Sequence, residues 1–205
     1  GPRRNMVELE EQMIENRQSI AGPYYEQAYA ANPAVISNEI DLILKTPYGK
    51  RALADAVEMM QNDRSLVGKI DPALTQQLKD AVALGKMPDV KGGVAPGFNM
   101  RTLDYVKRAM YDIEQELTRS GSNTKAGIIR GQRQKLTSEL DAADETGAYS
   151  KARASVETSK RELKAIELGR KFLTGDADLT AANIANMTAK ERDAARIGAR
   201  KAIGD

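Results

Sequence analysis

The sequence contains no cysteine and no histidine. The lack of cysteine excludes disulfides and thiolate nucleophiles, and the lack of both residues removes the usual ligands of zinc and other transition metals. Catalytic triads and general bases that depend on histidine are excluded as well. Among metal sites, those for magnesium or calcium that are built from Asp and Glu remain open.

Aromatic residues are scarce, at 4% of the chain, with no tryptophan and with Phe98 and Phe172 as the two phenylalanines. Because aromatic side chains bury the most area per residue, the core must be assembled from many small contacts of Ala, Leu, Ile, Val and Met. This composition is typical of long helical bundles. We therefore expect an all-α protein with the form of an elongated helical bundle.

Long apolar runs are missing too. No uninterrupted apolar stretch approaches the ~20 residues that a membrane-spanning helix needs, and no signal peptide is recognised, so we expect neither a membrane span nor secretion. Gly1-Pro2 is typical of the scar left by removal of a purification tag, which favours a segment of a longer polypeptide. A native start at Met6 is the alternative.

The formal net charge of +2 is small but unevenly distributed. From Arg119 onward the sequence has 17 basic and 12 acidic residues, whereas the part before it has 14 and 17. The basic C-terminal half is compatible with contact to nucleic acid or another anionic surface. A solvated helix surface with many ion pairs is the simpler interpretation.

Residues 3–84 have the pattern of an N-terminal subdomain of short helices. Apolar residues at helical spacing predict a first helix over 6–20, which Gly22-Pro23 interrupts. Thr46-Pro47 and Asp71-Pro72 each have the pattern of an N-cap followed by proline at the first helical position. The further helices predicted here cover 24–31, 37–44, 46–61 and 71–85.

Residues 85–98 contain four glycines and two prolines. This composition predicts a linker or a long surface loop. A glycine-rich loop can also hold phosphate, but no Gly-Lys-Ser/Thr follows and no predicted strand precedes it, which disfavours a phosphate loop.

Residues 99–175 have the pattern of three longer amphipathic helices, and the second and third are predicted over 124–143 and 148–173. Arg133 interrupts the apolar stripe of the second helix, where its stem can lie along the seam while its charge stays in water. Helices of about five turns joined by short turns predict a long antiparallel three-helix bundle. The first helix has a heptad seam of Leu103, Val106, Met110, Ile113 and Leu117.

Residues 176–205 form the last predicted segment. The run from Asp176 to Thr180 resembles the start of a calcium loop, but the positions that require Gly and Glu hold Ala181 and Met187. A capped turn is the simpler interpretation, and no metal site is predicted. Thr188-Ala-Lys-Glu191 is a capping box that predicts a final helix over 189–203.

Closely spaced acids have the residue type needed for glycoside cleavage. Such a site requires a cleft with aromatic sugar platforms, whereas these acids are predicted on the polar faces of amphipathic helices. We therefore predict no enzyme, no catalytic residue, no cofactor and no small-molecule substrate. The acids in question are Glu114 with Glu116, and Glu8 with Glu10 and Glu11.

Gly127 and Gly131 lie four residues apart within the helix predicted over 124–143. A glycine inside a helix costs about 1 kcal/mol relative to alanine. The pair therefore predicts either the close approach of another helix or a local fray or kink, and both interpretations are structural.

Arg192, Arg196 and Arg200 recur every four residues along one side of the last predicted helix, with Lys201 beside them. Four clustered cations are a candidate contact site for nucleic-acid phosphates or for an acidic protein. No aromatic residue accompanies them for base stacking, and a solvated helix face is the simpler interpretation.

Six short phrases occur in this order: Gly22-Pro-Tyr-Tyr-Glu-Gln-Ala28, Leu44-Lys-Thr-Pro-Tyr-Gly-Lys-Arg-Ala-Leu53, Leu103-Asp-Tyr-Val-Lys-Arg108, Tyr149-Ser-Lys-Ala-Arg153, Leu168-Gly-Arg-Lys-Phe-Leu173, and Glu191-Arg192 with Gly198. Together they resemble a helical region of very large phage and prophage proteins, which are virion-associated or internal, ejection-type proteins. The resemblance covers most of residues 20–203. Some of those proteins carry a peptidoglycan-cleaving domain elsewhere, but the glutamate motif of a lytic transglycosylase is not in this segment.

The resemblance implies a non-enzymatic structural or interaction module that packs with itself or with other virion proteins. It also implies a location in the virion, or in the bacterial cytoplasm during phage production. The alternative hypothesis is a nucleic-acid-binding helical module that uses the basic C-terminal half.

Overall fold

The structure is a computed structural model, and it describes residues 2–69, 76, 79–80, 83, 98–174 and 186–203. Within these residues the protein is all-α, which confirms the predicted class, and the only strand-like pairing is one isolated antiparallel bridge between Val35 and Phe98. A 3₁₀ turn covers Arg64–Leu66. The helices are α1 (Pro2–Ala31), α2 (Asn38–Lys45), α3 (Pro47–Asn62), α4 (Met100–Arg119), α5 (Asn123–Ala143), α6 (Ala148–Thr174) and α7 (Ala189–Ile203).

Three predicted features lie wholly or mostly outside the described residues. They are the helix over 71–85, the glycine- and proline-rich loop over 85–98, and the calcium-like segment that begins at Asp176. No described helix has both the length and the apolar character needed to cross a membrane.

The predicted break at Gly22-Pro23 is wrong, because α1 continues through Pro23 to Ala31. A proline inside a helix removes one backbone hydrogen bond and costs about 3 kcal/mol. Ala21 lies before the proline and Ala28 and Tyr29 lie after it, and all three are buried. Burial on both sides of Pro23 opposes the local cost, which a sequence pattern alone does not reveal.

The predicted starts of α2 and α3 are confirmed by their caps. The Ser37 side chain accepts a hydrogen bond from the amide of Ile40. Thr46 Oγ1 accepts from the amide of Gly49 at 3.1 Å and donates to the carbonyl of Ile43 at 2.6 Å. One threonine therefore begins α3 and also satisfies a carbonyl at the end of α2.

The chain divides into two units, which we call the central unit (residues 27–149) and the terminal unit (residues 1–26 and 150–205). Both boundaries fall inside continuous helices, since α1 and α6 contribute residues to each unit. They do not coincide with the composition changes at 85–98 and 176 that suggested separate segments. In the central unit α3 packs on α4, and Val35 pairs with Phe98, so segments from both sides of residues 70–97 share one core.

The core of the central unit is built around the predicted seam of α4. Leu103, Val106 and Met110 are completely buried, and Ile113 is nearly so. The facing residues of α5 are Ile129, Leu136 and Leu140, which are also completely buried. Leu117, the last residue of the seam, is only half-buried. The heptad spacing therefore identified the packed face of this helix correctly.

The terminal unit contains a small core of alanine and larger aliphatic side chains. Ala165, Ile166 and Ala194 are buried, and Leu9, Met13 and Ala195 pack against them. A Cβ atom added at Gly169 would collide with the carbonyl of Ala195, and one added at Gly198 would collide with the carbonyl of Ile166. The backbones of α6 and α7 are thus in direct contact through two glycines.

Gly127 and Gly131 behave differently from that pair. A Cβ atom added at either position would meet nothing within 4 Å, and both residues are exposed. Close approach of another helix, one of the two predicted explanations, is therefore not observed within the described residues. The helix α5 also continues unbroken through both positions.

Candidate functional site

Asp104, on α4, is the most completely buried carboxylate in the described part of the protein. Its Oδ2 accepts a hydrogen bond from the Tyr29 hydroxyl at 2.6 Å, and its Oδ1 accepts one from the Tyr149 hydroxyl at 2.8 Å. Lys107 Nζ lies 3.0 Å from Oδ1, and Arg108 Nη2 lies 2.9 Å from Oδ2. These five residues, which we call the Asp104 cluster, join α1, α4 and α6 within the central unit.

The local sequence places the two cations of the cluster. Lys107 and Arg108 follow Asp104 by three and four residues, which brings all three side chains to one face of α4. The cations also lie over aromatic rings: Lys107 Nζ is 5.1 Å from the ring centre of Tyr149, and the Arg108 guanidinium is 4.7 Å from that of Tyr105. Such cation–π contacts add to the stability of the cluster, in which the carboxylate is fully buried and the Arg108 side chain is 44% exposed.

The protonation state of Asp104 follows from its partners. Burial raises the pKa of the carboxyl, but Lys107, Arg108 and the Tyr29 hydroxyl together outweigh burial and hold that pKa below its usual value. Asp104 is therefore ionised at neutral pH, and its two oxygens are occupied by hydroxyl, ammonium and guanidinium groups. A carboxylate in this state anchors helices, whereas a general acid needs a raised pKa and access to substrate.

Glu114 is the second buried carboxylate, and its predicted position on a solvated face is wrong. Its residue surface is only 3% exposed. Arg130 Nε lies 2.6 Å from its Oε1, and Arg133 Nη2 lies 2.9 Å from its Oε2. Burial raises the pKa of Glu114, but the two arginines outweigh it and hold the pKa below its usual value. The two ion pairs fasten α4 to α5.

The position of Arg133 also corrects a prediction. Its side chain is 23% exposed, and its guanidinium binds Glu114 and lies 5.5 Å from the ring centre of Tyr111. The charge is therefore paired within the protein and is not left in water. Glu116, predicted as the partner of Glu114 in an acidic pair, is exposed and binds Arg51 at 2.6 Å.

Asp144 is the third buried carboxylate and lies directly after α5, in the turn that leads to α6. Its Oδ2 accepts from the amide of Tyr149 at 2.8 Å, and its Oδ1 accepts from Thr146 Oγ1 at 2.7 Å and from Asn32 Nδ2 at 3.1 Å. Burial raises the pKa of Asp144, but these hydrogen bonds outweigh it and lower the pKa. The end of α1 is thereby fastened to the start of α6 within the central unit.

Sequence reasoning did not identify Asp104 or Asp144. The spacing of Asp104 to Lys107 and Arg108 predicts an ion pair on one helix face, but it does not distinguish a buried face from a solvated one. The tyrosines that complete the cluster lie 75 and 45 residues away in the chain. No local signal connects residues at that separation.

The structure places the predicted arginine cluster on an exposed side of α7. Arg192, Arg196 and Arg200 are all exposed. The Arg196 side chain is 73% exposed, and its Nη1 lies 3.3 Å from Asp193 Oδ1. The side chain of Lys201 lies outside the described residues. We call Arg192, Arg196 and Arg200 the arginine stripe.

The predicted capping box at the start of α7 is confirmed. The amide of Thr188 donates to Glu191 Oε2 at 3.1 Å, and the amide of Glu191 donates to Thr188 Oγ1 at 3.2 Å. This reciprocal pair satisfies two amides that the helix itself leaves without partners.

A groove of about 490 Å³ lies in the terminal unit between α1 and α6, near the start of α7. Ile20 in its wall is 56% exposed. Met13 is the other large apolar residue of the lining, and the remaining side chains are small, polar or charged, so the groove combines apolar and polar surface without a concentrated charge. The residues that line it are Met13, Asn16, Ile20, Ala154, Ser155, Thr158, Ser159, Glu162 and Lys190.

Comparisons with known proteins add no assignment to these sites, since no protein-family profile, curated protein or solved structure matches the chain. Among the described residues, no three acidic side chains converge in a way that would hold a metal ion.

Because Asp104, Glu114 and Asp144 are buried and ionised, we predict that the protein loses stability in acid. Their pKa values are lowered in the folded state, so their stabilisation is complete above the pKa values of about 3.9 and 4.3 for unfolded Asp and Glu, and is lost as the pH falls through the folded values. We expect the melting temperature measured by circular dichroism to be constant from about pH 7 to 5 and to fall steeply below about pH 4. A constant melting temperature down to about pH 2.5 would contradict this account of the carboxylates.

Proposed function

We propose that the protein is a non-enzymatic structural and interaction module of a large phage or prophage virion-associated protein. It acts by packing its helices against itself or against other virion proteins. The virion assignment comes from the resemblance of residues 20–203 to such proteins.

The structural part of the proposal rests on the hydrogen bonds and ion pairs that occupy the buried carboxylates. Asp104, Glu114 and Asp144 are each held by at least two groups from another helix or from the turn before α6. Each acid is thereby used to fix one helix relative to another. Networks of this kind favour a single rigid arrangement, which suits a building block of a particle.

Exposed apolar side chains support the interaction part of the proposal. In α2, Ile40, Ile43 and Leu44 are buried, but Leu42 is 59% exposed. Ile128 on α5 is 53% exposed. Single exposed apolar residues are common on monomers, so their role has to be tested by substitution.

The first test measures association by sedimentation velocity over a wide range of protein concentrations. We expect reversible self-association, and we expect Leu42→Glu or Ile128→Glu to weaken it without changing the melting temperature. Lys45→Gln is the matched control for Leu42→Glu, because it changes the charge by the same amount and keeps the apolar surface. A strict monomer at every concentration would remove self-packing from the proposal.

The second test concerns the particle. Mass spectrometry of purified particles induced from the bacterium that encodes the protein should detect its peptides in the particle fraction. Peptides confined to the cell lysate would contradict the virion assignment, and turnover of purified cell wall by the protein would contradict the non-enzymatic assignment.

A further inference from the structure

The arginine stripe lies on the side of α7 that faces away from α6. Its members are four residues apart, so successive arginines advance about 6 Å along the helix and turn by about 40° around it. Ala194 and Gly198, which are buried against the neighbouring helix, lie on the opposite side. The packing of α7 therefore leaves all three guanidinium groups on one exposed surface.

We propose that the arginine stripe binds the phosphodiester backbone of a double-stranded nucleic acid. A guanidinium is always charged, and its planar donors match two phosphate oxygens at once. The step of about 6 Å between successive arginines allows neighbouring guanidinium groups to reach neighbouring phosphates along one DNA strand. The site is independent of the packing role proposed above.

The composition of α7 favours backbone contact over the stacking of unpaired bases. Residues 189–203 contain no aromatic side chain, and binding to single strands relies on aromatic platforms. Glu191 accepts a hydrogen bond from the Thr188 amide, and it lies about 100° around the helix from Arg192, on the side away from Arg196 and Arg200. Within α7 (Ala189–Ile203), Asp193 is therefore the acid that lies beside the stripe.

In the free protein, the Asp193 carboxylate competes with a phosphate for Arg196. Its carboxylate lies 3.3 Å from Arg196 Nη1, and the two side chains are 69% and 73% exposed. An ion pair so exposed is screened and contributes little, so a phosphate can displace the carboxylate. Removal of this carboxylate should strengthen binding, a result that distinguishes a phosphate site from a merely solvated face.

The experiment measures fluorescence anisotropy of labelled duplex DNA of about 20 base pairs at about 50 and 200 mM salt. Three phosphate contacts predict a slope of about −2.7 for log K against log salt, and hence about 40-fold weaker binding at the higher concentration. A parallel titration with duplex RNA shows whether the stripe prefers the phosphodiester backbone of DNA or that of RNA. We expect single-stranded DNA to bind more weakly than the duplex.

The triple variant Arg192→Gln, Arg196→Gln, Arg200→Gln should remove most of this binding and make the remainder nearly insensitive to salt. The triple variant Lys45→Gln, Lys50→Gln, Arg119→Gln is the matched control, since it removes three exposed positive charges of the central unit. We expect it to retain the wild-type slope.

A single variant tests the role of Asp193. Asp193→Asn should strengthen duplex binding and steepen the slope by up to about 0.9, whereas Glu58→Gln, which raises the charge equally in the central unit, should not. The proposal is overturned by absent duplex binding at low salt, by equal losses in both triple variants, or by polyglutamate binding as tightly as the duplex. The last result would assign the stripe to an acidic protein partner.

Discussion

Asp104→Ala is expected to lower the free energy of unfolding by about 3–5 kcal/mol, because removal of a buried ion-pair partner leaves the rest of the cluster with less compensation for its desolvation. The substitution removes one hydrogen-bond acceptor of the Tyr29 and Tyr149 hydroxyls and one counter-ion of Lys107 and Arg108. Urea unfolding followed by circular dichroism measures the loss. Asp55→Ala is the matched control, since that carboxylate is 42% exposed and lies 3.8 Å from Arg51. We expect the control to change stability by less than about 1 kcal/mol.

Two further variants show whether the cluster acts as one unit. Tyr29→Phe removes the hydrogen bond from the hydroxyl to Asp104, and Tyr149→Phe removes one to Asp104 and one accepted from Lys107 Nζ at 2.9 Å. A hydrogen bond to a charged group is worth about 1.5–3 kcal/mol. In the Asp104→Ala background each change should cost less, because the hydrogen bond to Asp104 is already absent, and the reduction should be larger for Tyr29→Phe, since Tyr149 also accepts from Lys107. Fully additive losses would show that the hydroxyls act separately from the carboxylate. Asp104→Asn should also reduce the fall in melting temperature that is expected at acidic pH.

Gly169→Ala and Gly198→Ala are expected to destabilise the protein by about 1–3 kcal/mol each, because each added methyl group collides with a backbone carbonyl of the partner helix. Backbone carbonyls move less readily than side chains, so relief requires α6 and α7 to separate. Unfolding by urea measures the effect, and hydrogen exchange of the α7 amides locates it in the terminal unit.

The chain supplies a matched control for these two substitutions. Gly127→Ala and Gly131→Ala also replace glycine within a helix, but nothing lies within 4 Å of the added methyl group. They should stabilise the protein by about 0.5–1 kcal/mol each, through the higher helix propensity of alanine. An equal effect of all four substitutions would show that α6 and α7 do not make the close contact described.

The sequence predicted the helices where short-range chemistry decides them. Thr46 and Ser37 cap their helices as expected, and Thr188 with Glu191 forms the capping box. These contacts join residues three positions apart, so the spacing of residue types contains the information. The heptad seam of α4 belongs to the same class, since one helix face is set by the helical period.

Predictions from the sequence were wrong where contacts between residues far apart in the chain determine the structure. Glu114 was predicted on a solvated face because its charge suggests exposure, but Arg130 and Arg133 compensate for its burial. The break at Pro23 was predicted from a local cost, but α1 is buried on both sides of the proline. In both cases the deciding contribution comes from packing.

By itself the sequence determined that this protein is helical, that it lacks the chemistry of cysteine and histidine, and that three arginines share one side of a helix. Only the tertiary structure decided that Asp104 lies at the junction of three helices, and that the same arginines lie opposite the packed face of α7. The glycines show the reason most clearly. Gly131 and Gly169 are both helical, but only Gly169 has a distant backbone carbonyl against it, and the position of that carbonyl is set by the folding of another segment.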